Sequence, residues 1–138
     1  MSTHSEFTLV MVDDDHDEIF LTRRLLRKEG IVNNFIFESK PERLFETLEG
    51  LRKGNQEKII ILLDARMLGQ DGFATLKRIR SSEHFKDVPI IMLSGSDDEA
   101  DMCEALSLGA SGYVTKPFGG DKFFAALSNV PQVKHQLV

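Results

Sequence analysis

Short apolar runs alternate along the chain with longer segments in which apolar residues recur every three or four positions. Runs such as TLVMV and IIILL are typical of strands buried on both faces, whereas the recurring pattern is typical of amphipathic helices. The runs predict strands at residues 8–12, 34–38, 59–63, 88–93 and 111–115. The recurring pattern predicts helices at about 15–29, 39–53, 73–79, 96–109 and 120–129. Strands and helices therefore alternate, which indicates an α/β fold with a parallel sheet between two layers of helices.

The predicted sheet also indicates where a ligand would bind. Periodicity leaves the strand order open, but connections between parallel strands are right-handed. In a doubly wound sheet, ligands bind beyond the carboxyl ends of the strands, where the strand order reverses. The residues that directly follow the strands are therefore the candidates for a functional site.

Local signals mark several helix ends. The inward face of the first helix consists of Ile19, Thr22, Leu25 and Leu26. Asp15 is a favoured N-cap for this helix, and Gly30 is placed as its C-terminal cap. SKPE (39–42) has the spacing of a capping box, with Pro41 in the first turn of the second helix. Gly109 is predicted to end the fourth helix.

The composition describes one globular domain, with 138 residues, 41% hydrophobic and 28% charged. The net charge of −5 argues against direct nucleic-acid binding, which usually needs a basic surface. Cys103 is the only cysteine, which excludes an internal disulfide, and its helical context predicts a buried side chain. The first residues lack the features of a signal peptide, and the longest apolar run is too short to cross a membrane. We therefore expect a cytoplasmic protein without membrane contact.

Polar residues gather after the predicted strands. Asp13, Asp14 and Asp15 follow the first strand, and Asp64 ends the third. Ser94 follows the fourth strand, and Lys116 follows the fifth. Because the carboxyl ends of parallel strands share one edge of the sheet, these residues are expected to approach one another.

Several carboxylates at one edge need a compensating charge. Two like charges about 4 Å apart repel by about 4 kcal/mol at an effective dielectric constant of about 20. Lys116 provides one cation for three carboxylates, and Mg²⁺ suits a site of few carboxylates, water molecules and a phosphate. Each residue alone has an ordinary role, as a helix cap, a turn residue or a solvated lysine. Their coincidence at one edge favours a functional site.

A family resemblance is carried by four motifs in order: VDD (12–14), LLD (62–64) followed by Met67 and GQDG (69–72), LSG (93–95), and GASGYVTKPF (109–118). Over about residues 6–130 the sequence resembles the receiver domain of two-component response regulators, in particular the single-domain chemotaxis regulator. The resemblance implies a flavodoxin-like fold, a doubly wound parallel sheet of order 2-1-3-4-5 with five helices. It also implies a receiver domain at 7–130, an N-terminal extension at 1–6 and a C-terminal tail at 131–138.

The resemblance implies a phosphoacceptor site. Asp64 would take a phosphoryl group from a sensor histidine kinase or a phosphotransfer protein and form an acyl phosphate. Asp14 and Asp64 would hold one Mg²⁺ directly, Asp13 would act through water, and the main-chain carbonyl of Arg66 would be a further ligand. Lys116 would pair with the phosphoryl group.

The resemblance also implies a switch. The Ser94 hydroxyl would bond the phosphoryl group and Tyr113 would turn inward behind it. The surface formed by the fourth helix, fifth strand and fifth helix would then change its preference for a downstream protein or for a second copy of the chain. An ordinary half-buried strand aromatic is the alternative reading of Tyr113.

Some residues depart from the family pattern or modify it. Leu68 stands where proline is common, and Ser94 stands where threonine is common. Arg66 and Ser96 are expected to influence the lifetime of the phosphoryl group, and Gly95 is expected to leave the site open to the phosphodonor. The resemblance further implies a cis peptide bond between Lys116 and Pro117.

Two other classes of function stay open. A phosphorylation-independent binding module on the same scaffold would be marked by a missing acidic residue or lysine, and none is missing. An aspartyl-phosphate phosphatase would have its nucleophile in a D-x-D pattern after the first strand, which the three aspartates at 13–15 satisfy, but Asp64 argues against it. We expect a signalling domain rather than an enzyme, without a DNA-binding or catalytic output domain in this chain.

Overall fold

The computed structural model describes residues 8–28, 34–54, 58–67, 70–95, 99–116, 120–128 and 130. Its main sheet consists of β1 (Thr8–Val12), β2 (Asn34–Glu38), β3 (Ile59–Asp64), β4 (Ile90–Ser94) and β5 (Gly112–Thr115). All neighbouring strands are parallel, in the order β2-β1-β3-β4-β5. The strands and the order expected from the resemblance are therefore confirmed.

Five α-helices connect or follow these strands: α1 (His16–Lys28), α2 (Leu44–Lys53), α3 (Gly72–Arg80), α4 (Glu99–Ser107) and α5 (Gly120–Ser128). A 3-10 turn at Pro41–Arg43 leads into α2. The predicted start of α4 at residue 96 lies outside the described residues. A short antiparallel pair, Arg66–Met67 with Gln70–Asp71, was not predicted and lies between β3 and α3.

Alternate residues of the central strands pack on opposite faces of the sheet. On one face, Val10, Ile61 and Leu63 join residues of α2, α3 and α4, including Leu44, Leu48, Leu76, Ile79 and Ala105. On the other face, Leu9, Met11, Ile60 and Leu62 join residues of α1 and α5, including Ile19, Leu26, Phe123 and Leu127. Each fully buried aliphatic side chain stabilises the fold by about 1.5–3 kcal/mol. The sheet is therefore a rigid support for the residues at its edge.

Two of the helix-end residues predicted from the sequence are confirmed. Asp15 caps α1, since its Oδ1 accepts a hydrogen bond from the Asp17 amide at 2.9 Å. Gly109, at φ 104°, follows the end of α4 as predicted. The predicted cap Gly30 lies outside the described residues.

The prediction of a capping box at 39–42 is wrong. Lys40 occupies the cap position, and no side chain caps this turn with a hydrogen bond. Pro41 is the first residue of the turn, the position that proline prefers because its missing N–H is not needed there.

The prediction for Cys103 is also wrong, because this side chain is exposed. Ala105 is the buried residue of α4, and Leu106 is 52% exposed. The apolar face of α4 is therefore too narrow to include Cys103. In the part of the chain that the structure describes, no helix is long and apolar enough to cross a membrane.

Candidate functional site

The register of the sheet brings the ends of β1 and β3 together. Val12 pairs with Leu63, so the residues that follow them, Asp13 and Asp64, lie side by side at the carboxyl edge. The Asp13 amide donates a hydrogen bond to the Glu38 carbonyl oxygen at 3.1 Å, which extends the ladder between β1 and β2. The backbone of Asp13 is therefore fixed by the sheet rather than by a loop.

The ends of β4 and β5 complete the same edge. Asp64 pairs with Leu93, and Ser94 pairs with Thr115. The Lys116 amide donates to the Ser94 carbonyl oxygen at 2.6 Å. The carboxyl ends of β1, β3, β4 and β5 thus meet at one edge of the sheet. The backbone at each end is held by pairing with the neighbouring strand.

Three carboxylates form the centre of this edge. Asp13, Asp14 and Asp64 each offer an oxygen atom, and these atoms lie within 4.8 Å of one another. Asp13 is 0% exposed and Asp64 is 5% exposed, whereas Asp14 is partly exposed. A set of hard oxygen ligands in one partly open cluster fits Mg²⁺ or a similar divalent cation.

Lys116 provides a positive charge to two of these carboxylates. Its Nζ lies 3.3 Å from Oδ2 of Asp13 and 3.2 Å from Oδ1 of Asp64. The Lys116 side chain is only 15% exposed, so both ion pairs are largely shielded from water. This one ammonium group contacts two of the three carboxylates of the cluster.

The pKa values in the cluster reflect burial and the charges of neighbouring groups. Burial raises the pKa of Asp13 to about 6, and repulsion from Asp64 adds to the rise. The hydrogen bond from the Asp15 amide, at 2.9 Å, and the charge of Lys116 oppose it. Burial alone would lower the pKa of Lys116, but attraction by Asp13 and Asp64 outweighs burial, so its pKa is raised. A further cation beside these carboxylates would therefore be bound favourably, because it would offset their mutual repulsion.

The start of α3 lies close to the backbone of Asp64 and helps to position this residue. The Gly72 amide donates to the Ala65 carbonyl oxygen at 2.9 Å, and a Cβ at position 72 would overlap the Asp64 carbonyl oxygen and the Ala65 Cα. Asp71 caps α3 by accepting a hydrogen bond from the Phe73 amide at 2.9 Å. Only glycine at position 72 lets α3 begin this near to the backbone of Asp64.

Two predicted switch residues lie on the strands of this edge. Ser94 is 2% exposed at the end of β4. Tyr113 of β5 is partly buried and packs against the cluster of α2, α3 and α4. Among the residues that the structure describes, a Cβ at Gly95 would meet no atom within 4 Å, so the space beside this residue is open there. Ser96, Leu68 and Pro117 lie outside the described residues, and so does the predicted cis bond.

Arg66 has a contact that sequence reasoning missed. Its amide donates to Oδ1 of Asp64 at 3.3 Å, and its Nη2 lies 3.8 Å from Oδ2 of Asp101 on α4. The Arg66 side chain is 73% exposed, and the Asp101 side chain is 22% exposed. The acidic first turn of α4 was noticeable in the sequence, but nothing in it indicated Arg66 as the partner. Whether the Arg66 carbonyl serves as a ligand stays a prediction.

Comparison with known proteins identifies the relatives of this chain. The family model of the response regulator receiver domain matches residues 9–128. Regulatory protein VanR of Enterococcus faecium is 32% identical over 129 residues, which are 94% of this chain and 49% of VanR. Similar shares, from 43% to 47%, hold for three other curated relatives, so the chain spans about half of the length of these relatives.

Solved structures of response regulators are similar to the structure of this chain. The bacteriophytochrome response regulator RtBRR is 27% identical with a TM-score of 0.77, covering 91% of this chain and 78% of that one. The Mn²⁺-bound form of response regulator Rcp1 is 22% identical with a TM-score of 0.67, covering 87% of this chain and 88% of that one. The second likeness shows the shared fold.

Proposed function

The chain belongs to the response regulator receiver domain family, and on this premise we propose that Asp64 accepts a phosphoryl group from a sensor histidine kinase or a phosphotransfer protein. The observation that carries the proposal is the carboxylate of Asp64, 5% exposed, at the carboxyl edge of the sheet and 3.2 Å from Lys116. Asp13 and Asp14 complete the acidic cluster around it. We further propose a cytoplasmic receiver unit at 7–130, with extensions at 1–6 and 131–138.

The proposed step is a displacement at phosphorus. A carboxylate oxygen of Asp64 forms a P–O bond while the P–N bond of the donor's phosphohistidine breaks. The imidazole nitrogen leaves with the electron pair of that bond, and the product is an acyl phosphate. The rigid mounting of Asp64 on β3, with Gly72 against its backbone, places the nucleophile before the donor arrives. Hydrolysis of the acyl phosphate by water would return the Asp64 carboxylate and inorganic phosphate.

Mg²⁺ is the cofactor that the acidic cluster fits. Asp14 and Asp64 would hold the ion directly, Asp13 would act through water, and the Arg66 carbonyl would be a further ligand. When bound, the ion offsets negative charge on the phosphoryl oxygens, which is a large part of what phosphoryl transfer requires from a protein. Rcp1, which shares the fold, has been solved with Mn²⁺ bound.

Lys116 changes partner in this account. In the unmodified protein its ammonium group pairs with Asp13 and Asp64. Phosphorylation turns the Asp64 carboxylate into an uncharged mixed anhydride and adds about two negative charges on the phosphoryl oxygens. The ammonium group then follows the negative charge from the Asp64 oxygen to the phosphoryl group. A cis bond before Pro117 would help to direct Lys116 inward and stays a prediction.

Ser94 and Tyr113 connect the site to a surface. The Ser94 hydroxyl would bond the phosphoryl group, and Tyr113 would move further inward. A cavity of about 410 Å³ lies on the surface of α4, β5 and α5, lined by Met102, Tyr113, Lys122, Ala125 and Ala126 among others. This surface would bind a downstream protein or a second copy of the chain. Phosphorylation shifts its conformation only as far as the phosphoryl group interacts differently with the two states.

The experiment for this proposal is an intact-mass measurement after incubation with acetyl phosphate, with and without Mg²⁺. We expect one Mg²⁺-dependent phosphoryl adduct on the wild type and none on Asp64→Asn. Asp17→Asn, which changes an exposed aspartate of α1, is the matched control and should behave like the wild type. An adduct that persists in Asp64→Asn, or a wild type that shows none even when quenched rapidly in acid, would contradict the proposal.

A further inference from the structure

Arg66 links the phosphoacceptor to helix α4 through its two ends. Its amide donates to Oδ1 of Asp64 at 3.3 Å, so its backbone is anchored at the site. Its guanidinium group reaches away from the site and lies 3.8 Å from Oδ2 of Asp101. The backbone of Arg66 therefore lies beside the nucleophile, and its charged group contacts helix α4.

The pair between Arg66 and Asp101 is weak. The Arg66 side chain is 73% exposed, and its separation from Asp101 is near the limit for an ion pair. A pair in which one side chain is largely exposed gains little, because water screens the attraction and two side chains must be ordered. A stronger anion nearby would therefore displace Asp101 from Arg66 at a small cost in free energy.

A phosphoryl group on Asp64 is such an anion. It carries about two negative charges and three acceptor oxygens, against one charge on Asp101. A guanidinium group binds phosphate oxygens through two parallel N–H donors, a geometry that the partly buried Asp101 carboxylate, 3.8 Å away, does not provide here. Because the Arg66 backbone already contacts Asp64, its side chain needs only rotamer changes to turn toward the phosphoryl group.

We infer that Arg66 is a second phosphoryl-binding cation beside Lys116, and that Asp101 is the positioning residue that holds it toward α4 until Asp64 is phosphorylated. The inference rests on the proposed function. By linkage, the factor by which the Asp101 contact weakens the hold of Arg66 on the phosphoryl group equals the factor by which the phosphoryl group weakens the Asp101 contact.

The test is a double-mutant cycle on the binding of beryllofluoride, a phosphoryl analogue, followed by fluorine NMR in the presence of Mg²⁺. Asp101→Asn should bind it about two- to fivefold more tightly than the wild type, the range that an exposed ion pair allows. Arg66→Gln should bind it more weakly, and the double variant should match Arg66→Gln alone. Asp101→Glu, which keeps the carboxylate, should restore the behaviour of the wild type.

Glu104→Gln is the matched control, because it removes an exposed charge from the same helix without touching Arg66. It should leave the affinity for beryllofluoride unchanged. The inference is overturned if Asp101→Asn binds like the wild type, or if it tightens binding equally in the Arg66→Gln background. A wild type that binds no beryllofluoride and forms no phosphoryl adduct overturns the proposed function as well, so the two failures are distinguishable.

Discussion

The ammonium group of Lys116 lies 3.2 Å from Oδ1 of Asp64, although 52 positions separate the two residues in the sequence. The same group lies 3.3 Å from Oδ2 of Asp13, which is 0% exposed. In the absence of a metal ion, this lysine compensates two buried carboxylates at once. Its removal should therefore affect stability and metal binding in opposite directions.

Lys116→Met should destabilise the metal-free protein at neutral pH by up to about 3 kcal/mol, the lower end for breaking a buried ion pair, because Lys116 keeps some exposure. Mg²⁺ should then raise the melting temperature of the variant more than that of the wild type, since binding to the folded state stabilises it. Lys77→Met, on the exposed side of α3, is the control. A smaller Mg²⁺-induced shift in Lys116→Met than in the wild type would refute this role of Lys116.

Gly72→Ala should disturb the site through the backbone. An added methyl group would overlap the Asp64 carbonyl, so the start of α3 must move away from the nucleophile. We expect a loss of about 1–3 kcal/mol in the free energy of unfolding, typical of overpacking, and slower phosphorylation by acetyl phosphate.

Gly50→Ala provides the contrast within the same chain. A Cβ at this position in α2 meets no atom within 4 Å. Alanine there should stabilise the protein by about 0.4–1 kcal/mol, because it restricts the unfolded chain and favours the helix. Chemical denaturation of both variants distinguishes the two sites, and equal effects would contradict the close approach at Gly72.

Ser94→Ala should separate phosphoryl binding from the switch. Tyr113 is the only tyrosine and the chain has no tryptophan, so its fluorescence reports this one residue. Beryllofluoride with Mg²⁺ should change the fluorescence of the wild type. Ser94→Ala should still bind the analogue but lose most of that change, whereas Ser81→Ala, at the C-cap of α3, should keep it. A full change in Ser94→Ala would show that Tyr113 does not depend on this hydroxyl.

Arg80→Lys should lower stability without affecting the site. The Arg80 guanidinium group donates to the carbonyl oxygens of Gly109, Lys86 and Val88, at 2.8, 3.0 and 2.7 Å. Lysine lacks this fork of donors, so at least one carbonyl loses its partner, at a cost of about 1–3 kcal/mol. Denaturation should show this loss while Mg²⁺ binding stays unchanged. An unchanged midpoint would mean that water replaces the contacts.

The fold and the centre of the site could be predicted because both depend on simple periodicity. Strands buried on both faces appear as unbroken apolar runs, as Ile59 to Leu63 do, and parallel strands bring their carboxyl ends to one edge. Asp13, Asp64 and Lys116 were therefore expected near one another before their contacts were known. The strand order came from the family resemblance, because periodicity carries no information about it.

Other features could not be predicted because they depend on distances between elements. The hydrogen bond from Arg80 to Gly109 joins residues 29 positions apart, and the contact of Arg66 with Asp101 joins the short antiparallel pair to a helix. No pattern of polar and apolar residues encodes such pairs. Cys103 was assigned to the interior because helical spacing does not show how narrow the buried face of α4 is.

The measurement that tests the central claim most directly is the position of the acyl phosphate. Borohydride reduces an aspartyl phosphate to homoserine, which peptide mass spectrometry locates to one residue. After treatment with acetyl phosphate and Mg²⁺, we expect homoserine at position 64 and unmodified aspartate at 13, 14 and 15. Homoserine at one of those three positions, with Asp64 unchanged, would contradict the account and favour a phosphatase-like nucleophile after β1.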